Sequence, residues 1–373
     1  MALNKWLPCA PLKNVLTTKV TFDNTNAQFF TALKQSVDAY FKQNRLKKTG
    51  NFKLYLKTLV LIPAAIALYA LVLFVPMSGW LAILLCALLG LDIAFIGFNV
   101  MHDACHGSYS TKKWVNYTVG LSMNAIGSNA FIWKIKHNII HHTYTNIDGV
   151  DDDIAKLPVI RLCESQKRLK MHKYQHWYAL FAYSLASLSW VLFTDFLKYF
   201  NQKIASTPIN TFNTKEHLIF WASKVLYVLF YIAVPIYLVG FVKFLIGFSV
   251  MHAVMGITIG IVFQLAHAVE NTQFLDANDD KHQKLETGWA EHQVATTSNF
   301  ATKNKIVTWC LGGLNFQVEH HLFPRISHVH YPAINKIVIE NCKKFGVTYN
   351  AYPTMRAAII SHFRYMKYVG QAA

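Results

Sequence analysis

The residues of this chain that could carry chemistry form three short clusters rich in histidine. They are His102 with His106, His137 with His141 and His142, and Gln317 with His320 and His321. Residues three or four apart share one face of a helix, so His102 and His106 can point together, as can His137 and His141. His142 lies one step round the helix and can reach a second metal. Neutral imidazole is the commonest metal ligand in proteins. One such pair would usually be structural, but three clusters in one chain predict a metal site.

The composition places these clusters in a membrane protein. Hydrophobic residues make up 53% of the 373 residues, and the mean hydropathy of +0.25 is too high for an ordinary soluble enzyme. The formal net charge of +17 could suit nucleic acid. Basic loops beside apolar spans instead mark the cytoplasmic side and attract anionic lipid. We therefore expect membrane lipid and no nucleic acid as a partner; the positive charge also suits an anionic coenzyme A thioester.

Long apolar stretches with few charges predict four membrane spans, near 58–75, 80–100, 224–243 and 244–266. The break between the first two spans, Pro76 to Gly79, contains no Lys or Arg, whereas a basic run precedes the first span. We therefore expect the break outside, with both termini and the histidine clusters on the cytoplasmic side. Residues 268–373 would form a soluble cap.

Residues 177–194 are an ambiguous apolar stretch, because 18 residues without a charge could form a further span. If all three clusters serve one site, an even number of spans must separate the second cluster from the third. The spans near 224–243 and 244–266 already supply two. We therefore predict that 177–194 is an interfacial helix.

Equal spacing adds His267 to the candidate ligands. Gly79 precedes His102 by 23 residues, and Phe244 precedes His267 by the same number. At about 1.5 Å per residue, each distance is roughly 35 Å, slightly more than a hydrocarbon core of about 30 Å. Both histidines would therefore lie just beyond the lipid on the cytoplasmic side.

The number of candidate ligands favours two metal ions. A zinc site needs only three or four ligands, whereas this chain offers eight imidazoles and one amide. Oxygen-activating iron is a natural use for an open, nitrogen-rich site, and the sequence shows no flavin, haem or nucleotide motif that would supply electrons internally. The predicted ligands are His102, His106, His137, His141, His142, His267, Gln317, His320 and His321.

The three clusters, in this order and at these separations, resemble the histidine boxes of the membrane fatty acid desaturases. The resemblance covers roughly residues 50–340 and implies an all-α integral membrane protein. Its four transmembrane helices would lie beneath a cytosolic helical cap that holds a di-iron centre. The implied parts are an N-terminal cytosolic segment (1–53), a desaturase domain (54–340) and a C-terminal cytosolic tail (341–373). The implied location is a bacterial inner membrane, with the active site facing the cytoplasm.

The third cluster points within that family to the front-end desaturases, because Gln317 replaces the first histidine of the box. Many front-end enzymes carry a fused cytochrome b5 domain with a His-Pro-Gly-Gly motif, which this sequence lacks. In this respect the chain resembles the bacterial members, which implies a separate electron donor, ferredoxin or cytochrome b5. The implied reaction uses O2 and two iron ions to remove two hydrogens from adjacent methylenes of a long-chain acyl-CoA or acyl-lipid.

Two other functions stay open from the sequence. A di-iron hydroxylase would add oxygen to the same substrate, although the Gln317 form of the third box favours desaturation. A non-enzymatic metal transporter should place its ligands near the bilayer midplane, where the sequence puts only His252 and Asp92.

Several polar residues near the clusters have more than one interpretation. The acidic residues Asp148 and 151–153 could orient ligand imidazoles, or they could form a solvated loop. We expect His328 and His330 to be structural or to support the ligands, and His252 to be buried and hydrogen-bonded. Asp92 is an acid within a span, where it could be functional or could pair with a neighbouring helix. The stretch 289–293 could border the site.

Overall fold

A computed structural model describes residues 20–25, 27–154, 158–205, 207–209, 212–277 and 284–372. The chain is mostly helical within these ranges. The long helices are α1 (Gln28–Gln43), α2 (Phe52–Phe74), α3 (Gly79–Cys105), α7 (Lys170–Ser184), α8 (Ala186–Asn201), α9 (Thr214–Val239), α10 (Phe241–His267), α14 (Tyr331–Phe345) and α15 (Met355–Gln371). The shorter ones are α4 (Lys113–Gly120), α5 (Ser122–Ala125), α6 (Ala130–Trp133, continued by Lys134–His141 and His142–Tyr144), α11 (Trp289–Ala295), α12 (Lys305–Cys310) and α13 (Gln317–Leu322).

Short ladders of two residues tie the loops together. The strands are β1 (Thr21–Phe22), β2 (Ile147–Asp148), β3 (Lys203–Ile204), β4 (Thr207–Pro208), β5 (Leu275–Asp276), β6 (Lys284–Leu285), β7 (Asn299–Phe300) and β8 (Ala351–Tyr352). β1 pairs with β6, β2 with β5 and β7 with β8, all in parallel, while β3 and β4 form an antiparallel pair. In the β2–β5 pair, Ile147 lies opposite Leu275, which joins the segment after the second histidine cluster to the segment after α10.

Within the described residues, four helices are long and apolar enough to cross a membrane: α2, α3, α9 and α10. Each of the four predicted spans corresponds to one of these helices, with differences at the ends. The predicted span 224–243 corresponds to α9, which begins ten residues earlier, where Asn213 accepts a hydrogen bond from the Glu216 amide and caps it. It ends at Val239 because Gly240, with φ of 83°, turns the chain into α10.

Close helix packing holds the two long spans α3 and α10 together. A Cβ at Gly90 would lie 2.2 Å from the carbonyl oxygen of Met251, so only glycine allows α3 to approach α10 at this point. A Cβ at Gly256 would lie 2.5 Å from the carbonyl oxygen of Tyr183, which brings α7 equally close to α10. The resulting core contains buried side chains of both spans, including Ile93 and Leu265.

The predicted interfacial helix 177–194 is part of a broken helix. α7 and α8 meet at an angle of 57°, and the pair would be a fifth span if it were counted as one. Its exposed side chains are large and apolar; Trp177 is 80% exposed and Phe181 68%. The bend and the apolar face suit a helix pair that lies in the membrane surface, so the interfacial assignment stays a prediction.

Both ends of the described chain pack into the core. Phe29, Leu33 and Val37 of α1 are buried against α14, so the apolar side of this helix faces inward. Residues 1–19 of the predicted N-terminal segment lie outside the described residues. Met366 and Val369 of α15 are fully buried in the same core as α10, so the C-terminal helix, as far as it is described, packs as part of the body.

Candidate metal centre

The helices that deliver the first two clusters both change pitch where the histidines lie. In α3, a π-helical turn spans Gly97–Met101 and ends at His102. In α6, a second π-helical turn spans Lys134–His141 and contains His137 as well as His141. Such turns are rare and occur frequently at functional sites, because the wider turn changes the direction in which the following side chains point. The third cluster lies on α13, a short helix of the cap.

One group of four ligands joins all three clusters. His102 and His106 come from the end of α3, His137 from α6, and His320 from α13. Each offers a ring nitrogen, and these nitrogens lie within 4.8 Å of one another. The geometry thus confirms the prediction that the clusters converge on one place.

A second group forms around His267. Ring nitrogens of His141, His267 and His321 lie within 4.8 Å of one another. The Gln317 amide lies beside them, with its Nε2 at 3.0 Å from Nε2 of His267 and 3.3 Å from Nε2 of His321. α10 therefore brings His267 to the site, as its spacing predicted, and the Gln317 amide lies within hydrogen-bond distance of it and of His321.

His142 lies between the two groups. Its ring centroid is 4.6 Å from that of His320 and 4.4 Å from that of His321, and its Nε2 is 3.3 Å from Nε2 of His137. His142 was expected to face a different metal position from its neighbour His141, and this arrangement agrees with that expectation.

Burial keeps these imidazoles in the form that binds metal. The nine candidate ligands are each no more than 7% exposed. Burial, followed by the surrounding imidazoles, holds the pKa of five histidines outside the spans well below the usual value: His106, His137, His142, His320 and His321. Neutral imidazole has a free nitrogen lone pair, which a metal ion requires.

Unsatisfied ring nitrogens show that the first ligand group, which contains His102, fits a metal ion. The Nε2 atoms of His102, His106 and His320 are buried and have no hydrogen-bond partner within the described ranges. A buried polar atom without a partner costs roughly 1–3 kcal/mol, and here three such atoms face one another. A metal ion bound among them would satisfy all three at once.

Carboxylate and hydroxyl groups orient the ligand rings from behind. Asp151, which is fully buried, lies 3.0 Å from Nδ1 of His141. Burial lowers the pKa of His141, but the Asp151 and Asp153 carboxylates together outweigh it, so the net pKa lies above its usual value. Tyr331 Oη lies 3.0 Å from Nδ1 of His320. Such partners fix the ring orientation of a ligand and strengthen its binding.

The acidic residues after the second cluster are therefore not a solvated loop, and that alternative is wrong. Lys136 pairs with Asp152 and Asp153, with its Nζ at 2.6 Å from Asp153, and Lys198 also pairs with Asp152. These pairs hold the loop against α6 and keep Asp151 behind His141.

The stretch 289–293 borders the site, as one interpretation of the sequence suggested. Gln293 Oε1 lies 2.8 Å from Nδ1 of His321, and His292 Nε2 lies 2.9 Å from the carbonyl oxygen of Thr145. Sequence reasoning gave no role to Gln293 and did not identify Tyr331 or Thr145. Each is an ordinary polar residue with no helical spacing to the group it contacts, a signal too general to select it.

Two histidines expected outside the ligand groups do lie outside them. His328 Nδ1 is 3.1 Å from Asp103, and its Nε2 is 3.0 Å from the buried ammonium group of Lys57. His330 Nε2 lies 3.1 Å from the carbonyl oxygen of Thr49. His328 links the loop after the third cluster to α2 and α3, and His330 links it to the segment before α2. These contacts agree with a supporting role.

Two polar residues within the spans, His252 and Asp92, differ in their hydrogen bonding. His252 is buried and lies 2.7 Å from the Tyr227 hydroxyl and 3.0 Å from that of Ser187, as expected for a hydrogen-bonded histidine. Asp92 is also buried in α3, and its Oδ2 has no hydrogen-bond partner in the described part of the chain.

Comparisons with known proteins agree with the geometry. The family model for fatty acid desaturases matches residues 78–353. The sn-1 linoleoyl-lipid 6-desaturase of Arthrospira platensis is 36% identical over 94% of this chain and 95% of that protein. The sn-1 linoleoyl-lipid 6-desaturase of Synechocystis sp. is 37% identical over 92% and 96%, and the acyl-lipid (8-3)-desaturase of Physcomitrium patens is 35% identical over 93% and 73%. The chain therefore belongs to the membrane fatty acid desaturase family and is a multi-pass membrane enzyme.

Proposed function

We propose that this desaturase is a front-end enzyme that introduces a cis double bond into a long acyl chain carried by a membrane lipid. The observation that carries the proposal is the second ligand group, in which Gln317 stands beside His267 and His321. The relatives support it, because their names describe 6-desaturation of linoleoyl-lipid and (8-3)-desaturation of acyl-lipid. An acyl-CoA is the alternative carrier.

We assign two iron ions to the two ligand groups. One would be held by His102, His106, His137 and His320, the other by His141, His267, Gln317 and His321, with His142 available between them. The family and the nitrogen-rich ligand set support iron. A zinc site would need fewer ligands than the chain brings together.

When loaded with metal, the centre would supply the oxidising power of O2 that is needed to break unactivated methylene C–H bonds. No side chain can break these bonds by acid–base chemistry. The residues of the chain have other tasks. The neutral imidazoles bind metal without adding charge, Asp151 and Tyr331 hold two of the rings in place, and burial excludes bulk water.

The electron donor and the orientation are also part of the proposal. Because the sequence shows no internal redox motif, a separate ferredoxin or cytochrome b5 would supply electrons. The basic segment before α2 and the turn without Lys or Arg between α2 and α3 support a centre on the cytoplasmic side. In a bacterium, the membrane would be the inner membrane.

Product analysis tests the reaction. The chain is expressed in a host that lacks polyunsaturated lipids, and new double bonds are located by mass spectrometry in each lipid class and in the acyl-CoA pool. We expect loss of two mass units, with the new bond near the carboxyl end and appearing first in intact lipid. A gain of sixteen mass units would identify a hydroxylase. First appearance of the new bond in acyl-CoA would make acyl-CoA, and not a membrane lipid, the carrier.

Metal analysis tests the centre independently. Purified protein should contain about two iron atoms per chain, because eight imidazoles converge. His102→Ala, His141→Ala and His321→Ala should each abolish product formation while the protein still inserts into the membrane. One zinc and no iron per chain would overturn the assignment, and iron with no lipid product in the wild type would point to a different substrate.

A further inference from the structure

The buried centre poses a problem of electron delivery. The candidate ligands are no more than 7% exposed, so an external protein donor cannot touch them. Each double bond requires two electrons and two protons from outside, which together with O2 and two hydrogens of the acyl chain give two molecules of water. The electrons must therefore cross a layer of protein.

Trp289 links the surface to a candidate ligand. It is the first residue of α11 and is partly exposed. Its indole Nε1–H donates to the carbonyl oxygen of His142 at 3.0 Å. The ring is held in place, because the Trp289 backbone N–H donates to Asn24 Oδ1 and Phe30 packs edge-on at 5.3 Å. A rigid aromatic side chain thus connects solvent to the backbone of a residue in the centre.

His142 is a favourable receiving point, because it lies between the two ligand groups. Its ring is within 4.6 Å, centroid to centroid, of the rings of both His320 and His321. An electron that reaches His142 is therefore about equally close to both groups. An electron that entered at a histidine of one group would be closer to that group than to the other.

A second partly exposed side chain also approaches a ligand. Asp153, 29% exposed, lies 3.5 Å from Nδ1 of His141. Its carboxylate has no aromatic system and is already engaged by Lys136, whose Nζ lies 2.6 Å away. Trp289 is the better candidate of the two.

We propose that Trp289 is the residue through which electrons from a protein donor reach the metal centre. The donor would be a small protein with an iron–sulfur cluster or a haem that transfers one electron at a time through a brief contact, a class of encounter that buries little surface. The role of Trp289 is that of a positioning residue that couples the donor to His142. This inference rests on the proposed two-iron centre.

Reduction kinetics test the inference. Trp289→Phe keeps an aromatic ring but removes the indole N–H, and Trp114→Phe is the matched control on α4, where the tryptophan is 67% exposed. Iron-loaded protein is mixed anaerobically with reduced [2Fe–2S] ferredoxin or, separately, with dithionite, and reduction of the centre is followed by absorbance. We expect ferredoxin to reduce Trp289→Phe at least about tenfold more slowly than wild type. Reduction by dithionite, iron content and the Trp114→Phe control should be unchanged.

The outcomes separate electron delivery from structure. Equal slowing with ferredoxin and dithionite, or loss of iron from Trp289→Phe, would mean that the indole only supports His142, and the inference would be wrong. An unchanged ferredoxin rate would also overturn it. A wild type that binds no iron would instead refute the proposed centre, before any variant is compared.

Discussion

At the scale of single residues, Gln317 is the main departure from an all-histidine site. Its amide is buried and faces the ring nitrogens of His267 and His321, while its Oε1 has no hydrogen-bond partner in the described residues. Half a turn about the last bond of the side chain exchanges the oxygen and the nitrogen of the amide. That turn would direct the oxygen, a metal donor, toward the position shared by the two histidines.

We therefore expect Gln317→Ala to lose most activity, because it removes a donor from the second ligand group. Gln317→His supplies a nitrogen from the same backbone position but on a stiffer, shorter side chain. Misplacement by about 1 Å can cost on the order of a hundredfold in rate, so the rescue should be partial. Product formation and iron content are measured together, with the exposed Gln273→Ala as control. Full activity with unchanged iron in Gln317→Ala would make the residue a bystander.

The same scale includes the groups behind the ligands, of which Asp151 has the clearest geometry. Asp151→Asn keeps the shape of the side chain but removes the charge that stabilises a hydrogen on Nδ1 of His141. We expect roughly a 10–100-fold loss of metal affinity, measured by iron retention against a competing chelator. Asp23→Asn, a change at a partly exposed acid outside the ligand groups, is the control. Unaltered retention in Asp151→Asn would mean that His141 is oriented by packing alone.

At the scale of elements, a buried ion pair fixes the broken helix against the spans. Lys224 of α9 binds Asp195 of α8 at 2.9 Å and also donates to the carbonyl oxygens of Gly127 and Val191. Asp195 accepts a further bond from Ser128, which directly precedes Asn129, the N-cap of α6. The pair therefore connects the broken helix with the start of the helix that carries the second cluster.

Removal of one partner should be costly, because it leaves the other charge buried. Lys224→Met should lower the free energy of unfolding by about 3–5 kcal/mol, whereas Lys224→Met with Asp195→Leu should recover most of it, since replacement of both charges is often neutral. The unfolding temperature in detergent measures both variants. If the double variant is as unstable as the single one, the lysine contributes through its carbonyl contacts and not through the ion pair.

At the scale of the whole molecule, the position of the broken helix decides the topology. If α7 and α8 lie in the membrane surface, the loops around residues 140, 170, 200 and 320 share one side, and the turns at Ser78 and Val239 lie on the other. Single cysteines introduced at these sites and probed with a membrane-impermeant reagent should sort into these two groups. Labelling at residue 200 from the side of Ser78 would make the broken helix a fifth span and would separate the second cluster from the third.

The sequence by itself determined the parts of the site that depend on local spacing and on hydropathy. Histidines three or four apart must share a helix face, and apolar stretches of about 20 residues can span a bilayer whatever surrounds them. His267 was also predictable, because the rise of a helix is fixed and places the ends of two equal spans at one depth. The family resemblance rested on the same local patterns.

The tertiary structure decided which candidate ligands lie together and which side chains support them. His320 joins the group of His102 while its neighbour His321 joins that of His267, a division that depends on how α13 meets α3 and α10. The roles of Asp151, Gln293 and Tyr331 come from contacts between segments distant in the chain. Hydropathy and helical periodicity describe only how one segment meets its surroundings, so they do not identify which polar side chain of another segment lies there. The bend between α7 and α8 likewise lies where the end of α7 packs against α10, at the close approach that Gly256 permits.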